Sequence, residues 1–367
     1  MRRYVAHLSL MVVVLVALGC REQPGQRPTD PTTTAILKGS DASPLFYTPH
    51  WAIENNWVPA LESIDTQTGL GTSMCLFDIA PDPEYPDAFF TPYGLAFDLD
   101  GTAYTIVSWF DGVQEHSKAR FARVDMATCA LTYIGEPYSI NMAGPEIDAC
   151  GNVYATGFTV GDPATGQIPP FVWGDSYLYR IDKHTGEATR VGDTGYTRWM
   201  DMAVDSHGRL WATFDNDLYT LDTQTGASTF VTHVTGVPQS DIPGVCPEDW
   251  PYMEIMSIAF DEKDVLWATA MRGFSYCDQI DAPVMRVDIQ MGAATVVGYT
   301  HQGYNHGGDI PPVHVKVCHR KGNGAYVPIT IELTSLPDHR AHGDIVPGVD
   351  SSDCNCPGTD GDNERVQ

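Results

Sequence analysis

The sequence predicts an all-β chain made of repeated four-stranded sheets, a β-propeller, and three observations carry that prediction. First, five segments align without gaps: LESIDTQTGLGTSMC (61–75), FARVDMATCALTYIG (121–135), LYRIDKHTGEATRVG (178–192), LYTLDTQTGASTFVT (218–232) and VMRVDIQMGAATVVG (284–298). Second, another set interleaves with them: GLAFDLDGTAYTIV (94–107), GPEIDACGNVYATG (144–157), DMAVDSHGRLWATF (201–214) and SIAFDEKDVLWATA (257–270). Third, length varies between copies only in the connections that join one hairpin to the next, as tandem stacking of equivalent units allows.

Each member of the first set is an alternating apolar strand, a turn built on Asp with Gly four residues later, and a second strand. That is the hairpin pattern. Cys129 stands in the glycine's place in the second copy. In the second set an Asp-x-x-Gly turn precedes a strand with Tyr104, Tyr154, Trp211 or Trp267 at one fixed position, and Asp264 replaces the last glycine. Two hairpins make a four-stranded sheet, and such sheets in tandem are propeller blades. A β-sandwich accounts less well for paired hairpins at five stations. Five blades are expected, with six as the alternative. Blade one shows only its outer hairpin, so strands from the 33–60 region are expected to complete it and close the ring.

The units resemble blades of NHL and gluconolactonase-like propellers over roughly residues 60–300. Gluconolactonase-like enzymes hold a divalent cation at the channel mouth with Glu, Asn and Asp. The resemblance therefore draws attention to Asn141, Asp201 and Glu254, near the starts of inner strands. Glu146 stands out from the residues themselves. It occupies the site where other copies carry Ala96, Ala203 and Ala259, and a carboxylate facing the channel or a neighbouring strand needs a partner or water.

The N-terminus, MRRYVAHLSLMVVVLVALGC, has two arginines, an apolar run and a small-residue stop, the layout of a signal peptide. Its last four residues resemble a bacterial lipobox, which implies acylation of Cys20, palmitate among the added chains, and a membrane anchor. Arg21, where an aspartate favours inner-membrane retention, points to the outer membrane or cell surface. The expected division is 1–20 signal peptide, 21–35 Pro/Thr-rich tether, 36–310 propeller, and 311–367 a small Cys/His module with an acidic tail.

A formal net charge of -26, from 21 basic and 47 acidic residues, repels nucleic acid and anionic headgroups. It suits divalent cations, and equally it keeps an exported protein soluble. The long connections carry Trp109, Phe110, Phe171, Trp173, Trp250, Tyr252, Phe274 and Tyr276. Loops varying on a rigid scaffold are where binding lives, and aromatics there suit glycan or protein surfaces. The plainer alternative is that Pro-rich loops pack on their own aromatics. No Gly-x-Ser-x-Gly, His-Glu-x-x-His or phosphate loop occurs in the sequence. The leading expectation is a non-enzymatic binding propeller. A metal-dependent hydrolase or lactonase, and a structural surface component, are the alternatives.

Setting Cys20 aside leaves eight of nine cysteines, which favours disulfides in an exported chain. Cys246 can meet Cys277 on the loop-rich rim, and Cys129 can meet Cys150 across short turns of adjacent blades. Cys354 and Cys356 are too close to pair together. One is expected to take Cys318 and the other Cys75.

After Pro311 the repeat stops. PVHVKVCH and YVPITIEL predict a hairpin, and Ser335 is expected to cap a short helix from Leu336 to His342 that Gly343 ends. This ββα unit resembles a short module of exported bacterial proteins, Cys-His followed by Leu-Pro-x-His-x-x-His-Gly-Asp, which brings no activity with it. His319, His339, His342 and Asp344 are candidate ligands for zinc or another borderline divalent metal. In the competing reading, Asp344 and backbone groups satisfy the histidines.

Overall fold

The computed structural model describes residues 45–52, 58–80, 89–110, 118–160, 173–197, 199–238, 253–272, 282–300, 305–351 and 353–357. Four antiparallel sheets of four strands follow one another along the chain. Blade two is β4 (Phe89–Phe97) to β7 (Leu131–Tyr138), through β5 (Ala103–Phe110) and β6 (Lys118–Val124). Blade three is β8 (Asn141–Ile147), β9 (Val153–Val160), β10 (Trp173–Ile181) and β11 (Ala188–Asp193). Blade four is β12 (Asp201–Val204), β13 (Leu210–Phe214), β14 (Asp217–Leu221) and β15 (Ser228–His233). Blade five is β16 (Met253–Phe260), β17 (Leu266–Arg272), β18 (Pro283–Asp288) and β19 (Ala293–Tyr299).

Blade one joins the two ends of the ring. Its outer three strands are β1 (Leu45–Ala52), β2 (Val58–Asp65) and β3 (Gly71–Leu76). Its innermost strand is residues 305–310, which bridge β1 at Tyr47↔Asp309 and His50↔Asn305. Tyr47 and Asp309 exchange both backbone hydrogen bonds at 2.9 Å. The expectation that residues 33–60 alone close the ring is thus corrected. They supply β1, while the closing strand comes after the last repeat, which leaves no raw edge between first and last blades. The chain is a five-bladed propeller.

The register explains the fixed aromatic. Tyr104 faces Ala96, Tyr154 faces Glu146, Trp211 faces Ala203 and Trp267 faces Ala259. Tyr47 opposite Asp309 is the fifth member, invisible in the sequence because its partner lies at the far end of the chain. In blades four and five the indole N–H donates to the turn aspartate, Trp211 to Asp205 at 2.9 Å and Trp267 to Asp261 at 3.1 Å. Each such turn aspartate also accepts backbone N–H bonds within its own turn, as Asp205 does from His207 and Arg209. Between blades the faces bury apolar clusters. Ala203, Trp211 and Leu218 of blade four pack on Ile255, Ile258 and Leu266 of blade five.

The outer hairpin turns touch the outer strand of the preceding blade, around the whole ring. A Cβ on Gly69 would lie 2.5 Å from Gly298 Cα, and one on Gly226 would lie 2.7 Å from Gly192 C. At the junction of blades one and two both glycines are replaced, and Cys75 is bonded to Cys129. Cys129 keeps the glycine's left-handed backbone, φ 58°. Cys129 therefore does not pair with Cys150, because the two turns lie at different radii. Cys150 pairs with Cys354, and Cys318 with Cys356. Cys246 and Cys277 lie outside the described residues.

The tail is a hairpin, β20 (His314–Arg320) with β21 (Tyr326–Glu332), then a 3-10 turn (Leu333–Ser335) and α1 (Leu336–Ala341). Ser335 does not cap α1; its hydroxyl donates back to Glu332 O at 2.7 Å, because the preceding turn already winds the backbone. The module lies on the face formed by the short turns. Leu333 covers Gly101, and Gly348 O sits 2.3 Å from where a Cβ on Gly151 would be. Glu262 of blade five accepts from Val313 N and His314 N. Between them, the buried Lys183 donates to Asp98 at 2.6 Å and to Gly348 O at 2.8 Å.

Candidate functional site

Three places carry the candidate chemistry: the propeller axis, the loop-rich rim and the tail module. Along the axis, register fixes the level of each side chain. Glu146 and Asp309 stand at the level of the fixed aromatic, Asp201 two residues nearer the rim, and Asn141 and Glu254 four residues nearer. Inner strands expose their N–H groups toward the axis, and the carboxylates accept them. Glu146 accepts from Val204 N at 3.1 Å, Asp309 from Phe97 N at 2.8 Å, and Asp201 from Ile258 N at 2.8 Å and Gly308 N at 3.1 Å. Each bond runs from one blade's carboxylate to the next blade's backbone, and Asp201 ties in blade one as well.

The axis is closed around Asp201. A Cβ on Gly307 would meet Gly94 Cα at 2.6 Å and Asp201 Oδ1 at 2.8 Å, and one on Gly144 would stand 3.4 Å from the same oxygen. Three carboxylates are buried together here, so each resists ionising. Burial raises all three. It pushes Asp309 up to about 7, while Glu146 is raised further by the charges of Asp309 and Asp201. Their oxygens do not converge as a ligand set: the grouping found among the described residues is elsewhere, at His319, His339 and Asp344. The residues suggested by the gluconolactonase-like resemblance thus sit on the axis, with Asp201 engaged by backbone amides.

On the rim, the described strand ends flank every long connection. Trp109 and Phe110 end β5 opposite Phe90 and Phe89, and Trp173 begins β10 opposite Val160. Phe171, Trp250, Tyr252, Phe274 and Tyr276 lie outside the described residues. Blade four differs: only Asp215 and Asn216 join β13 to β14, where blades two, three and five carry long insertions. Beside that gap lies an aromatic group the sequence reading missed. Tyr196 lies 5.2 Å from Trp199 and 4.8 Å from Tyr219 between ring centroids, and Phe230 is 5.5 Å from Tyr219. Trp199 is buried, while Phe230 is 54% exposed. Nothing in the local pattern marks these residues, since they come from a connection and two strands.

In the module, folding brings three of the four candidate ligands together. Ile345 bridges Cys318, which sets Asp344 beside β20, and Asp344 N bonds His339 O at 3.1 Å. The buried Asp344 accepts from Arg320 N through Oδ1 at 2.8 Å. Its Oδ2 meets Nδ1 of His319 at 2.8 Å and Nδ1 of His339 at 2.6 Å. These bonds outweigh burial and hold its carboxyl down at about 2. His342 caps the helix C-terminus, is exposed and stands outside this group.

No protein-family model matches the sequence, and no curated protein matches it. Among solved structures, a nidogen/laminin complex aligns over 73% of this chain and 98% of its own, at 12% identity and TM-score 0.38. A Xanthomonas campestris gluconolactonase aligns over 75% of this chain and 79% of its own, at 13% identity and TM-score 0.37. A calcium-binding regucalcin of Agrobacterium tumefaciens covers 83% of this chain and 89% of its own, at 14% identity and TM-score 0.37. These likenesses are distant, and the propeller stands on this chain's own strand pairing.

Proposed function

We propose that this protein is a lipid-anchored envelope protein that binds a glycan or protein through the loop-rich rim of its propeller, without catalysis. One observation supports this most: the two faces are unequal. The short-turn face is covered by the module over blades two and three, at Gly101 and Gly151. The strand ends that lead into the long connections lie at the other face. The rim is the face the module leaves uncovered, and the net charge of -26 favours a neutral or basic ligand there. Cys20 provides the anchor, at the outer membrane or cell surface, and residues 21–35 the tether.

The test is fluorescence titration against a panel of neutral and basic glycans. Trp109→Ala, Trp173→Ala and Trp250→Ala together should abolish binding, while His207→Ala on the opposite face leaves it intact. Binding that survives the triple variant removes the rim from the proposal. Globomycin should leave uncleaved precursor, and Cys20→Ser should abolish lipid labelling. A second reading, a metal-dependent lactone hydrolase, is favoured by Asn141 and Glu254 at one level of the axis next to the rim. Cation-dependent lactone hydrolysis lost in Glu254→Gln would replace binding with catalysis.

A further inference from the structure

We propose that the tail module binds one zinc-class divalent ion through Nδ1 of His319, Nδ1 of His339 and Oδ2 of Asp344. One ligand atom from each residue lies within 4.8 Å of the other two, and the residues come from β20, the helix and the turn after it. The two imidazoles converge edge-inward. Their centroids are 6.0 Å apart, yet each Nδ1 is within 2.8 Å of one carboxylate oxygen. The outer Nε2 atoms therefore diverge, and a shared ion belongs on the inner side.

Two nitrogens and one oxygen form a borderline donor set that suits zinc over calcium or magnesium, which prefer oxygen. Zinc bonds of about 2.0–2.2 Å set tetrahedral ligand atoms roughly 3.3 Å apart. The present 2.6 and 2.8 Å spacings must open by about half an ångström as the ion takes the place of both Nδ1 protons. The side chains can supply that movement. His319 is 38% exposed and His339 24%, while Asp344 stays buried and fixed by Arg320 N. That exposure also leaves the fourth position open to water, the arrangement of three protein ligands with one exchangeable site. The ion would tie hairpin to helix in a unit too small to hold itself firmly.

The experiment loads purified full-length protein with zinc, dialyses it against excess calcium, and measures metal content. About one zinc per chain is expected, retained in His342→Gln and lost in His319→Gln and His339→Gln. Cobalt loading should give the visible bands of a four- or five-coordinate nitrogen-containing site, absent from His339→Gln. Zinc far below one per chain overturns the proposal, and so does equal zinc in wild type and both variants. If the variants do not fold, wild-type zinc content and the wild-type cobalt spectrum decide, and the weak bands of six oxygen ligands would overturn the proposal.

Discussion

The ring and the tail module are held together by opposite means. The ring repeats one apolar contact between adjacent blades, and its side chains need no special chemistry to find their places. The module has a small core, with Val315, Val317, Leu333, Leu336 and Val346. It is fastened by Cys318–Cys356, by Cys150–Cys354, by Lys183 and by Asp344. A structure built by repetition can close only where its two ends meet. A structure built by addition must be stapled to what already exists.

The largest effect should come from separating the two along the chain. A chain ending at residue 304 lacks the inner strand of blade one and should fail to give a cooperative transition. One ending at residue 312 keeps Asn305 to Ile310 and should remain folded, with the turn face newly exposed. If both unfold alike, the module is part of the ring's stability rather than an addition to it.

Next is the buried pair between them. Lys183→Met leaves the Asp98 carboxylate buried without its cation, a change of about 3–5 kcal/mol in comparable cases. Denaturant midpoints should fall accordingly, and hydrogen exchange near Gly348 should rise first. A loss under about 1 kcal/mol would mean the module is held by its disulfide and its other contacts with the turn face, not by this pair.

Among the described residues of the ring, one junction between blades carries a disulfide, Cys75–Cys129. Cys75→Ser with Cys129→Ser should cost about 2–4 kcal/mol. Cys75→Gly with Cys129→Gly should recover part of it, because glycine restores the close contact and relieves the φ of 58° at position 129. This junction was legible in advance: position 15 of one repeat and position 9 of the next are both cysteine, whereas Thr232, the other departure at position 15, is followed by a glycine at position 9 of the next copy, Gly292. Pairing by turn type alone hid it. The blades, their turns and the fixed aromatic were readable because each recurs. The closing strand occurs once and matches no repeat, so its role appeared only in the fold. The same holds for Asp309, whose equivalence to Glu146 requires the pairing with Tyr47.

The axis gives a pH signature that the module opposes. Asp309, Glu146 and Asp201 have folded carboxyls raised above their unfolded values. Their contribution is complete below the unfolded value and is lost as pH rises, through about 7 for Asp309. Asp344, held at about 2, contributes above its unfolded value and is lost as pH falls toward 2. Thermal stability should therefore peak in mildly acid solution. Asp309→Asn should flatten the loss between pH 5 and 8 by about 3–6 °C in Tm. An unchanged alkaline limb would show that burial on the axis does not hold the Asp309 carboxyl up.

The smallest effect tests whether the exceptions to the repeat share one cause. Asp264 replaces the inner-turn glycine of blade five and holds φ 57°. Its carboxylate accepts from Ser206 N at 2.8 Å and from the Ser206 hydroxyl, both in the turn of blade four. Cys129 likewise bonds the preceding blade. At both exceptions, then, a strained backbone is kept because the side chain reaches across a junction. Asp264→Gly removes the strain and the bridge together, so its stability should lie within about 0.5 kcal/mol of wild type. Ser206→Ala removes only the hydroxyl end of the bridge and should cost more than Asp264→Gly, about 1 kcal/mol. If Asp264→Gly instead stabilises by a full kcal/mol, the bridge contributes nothing and the aspartate is no more than a tolerated departure from the repeat.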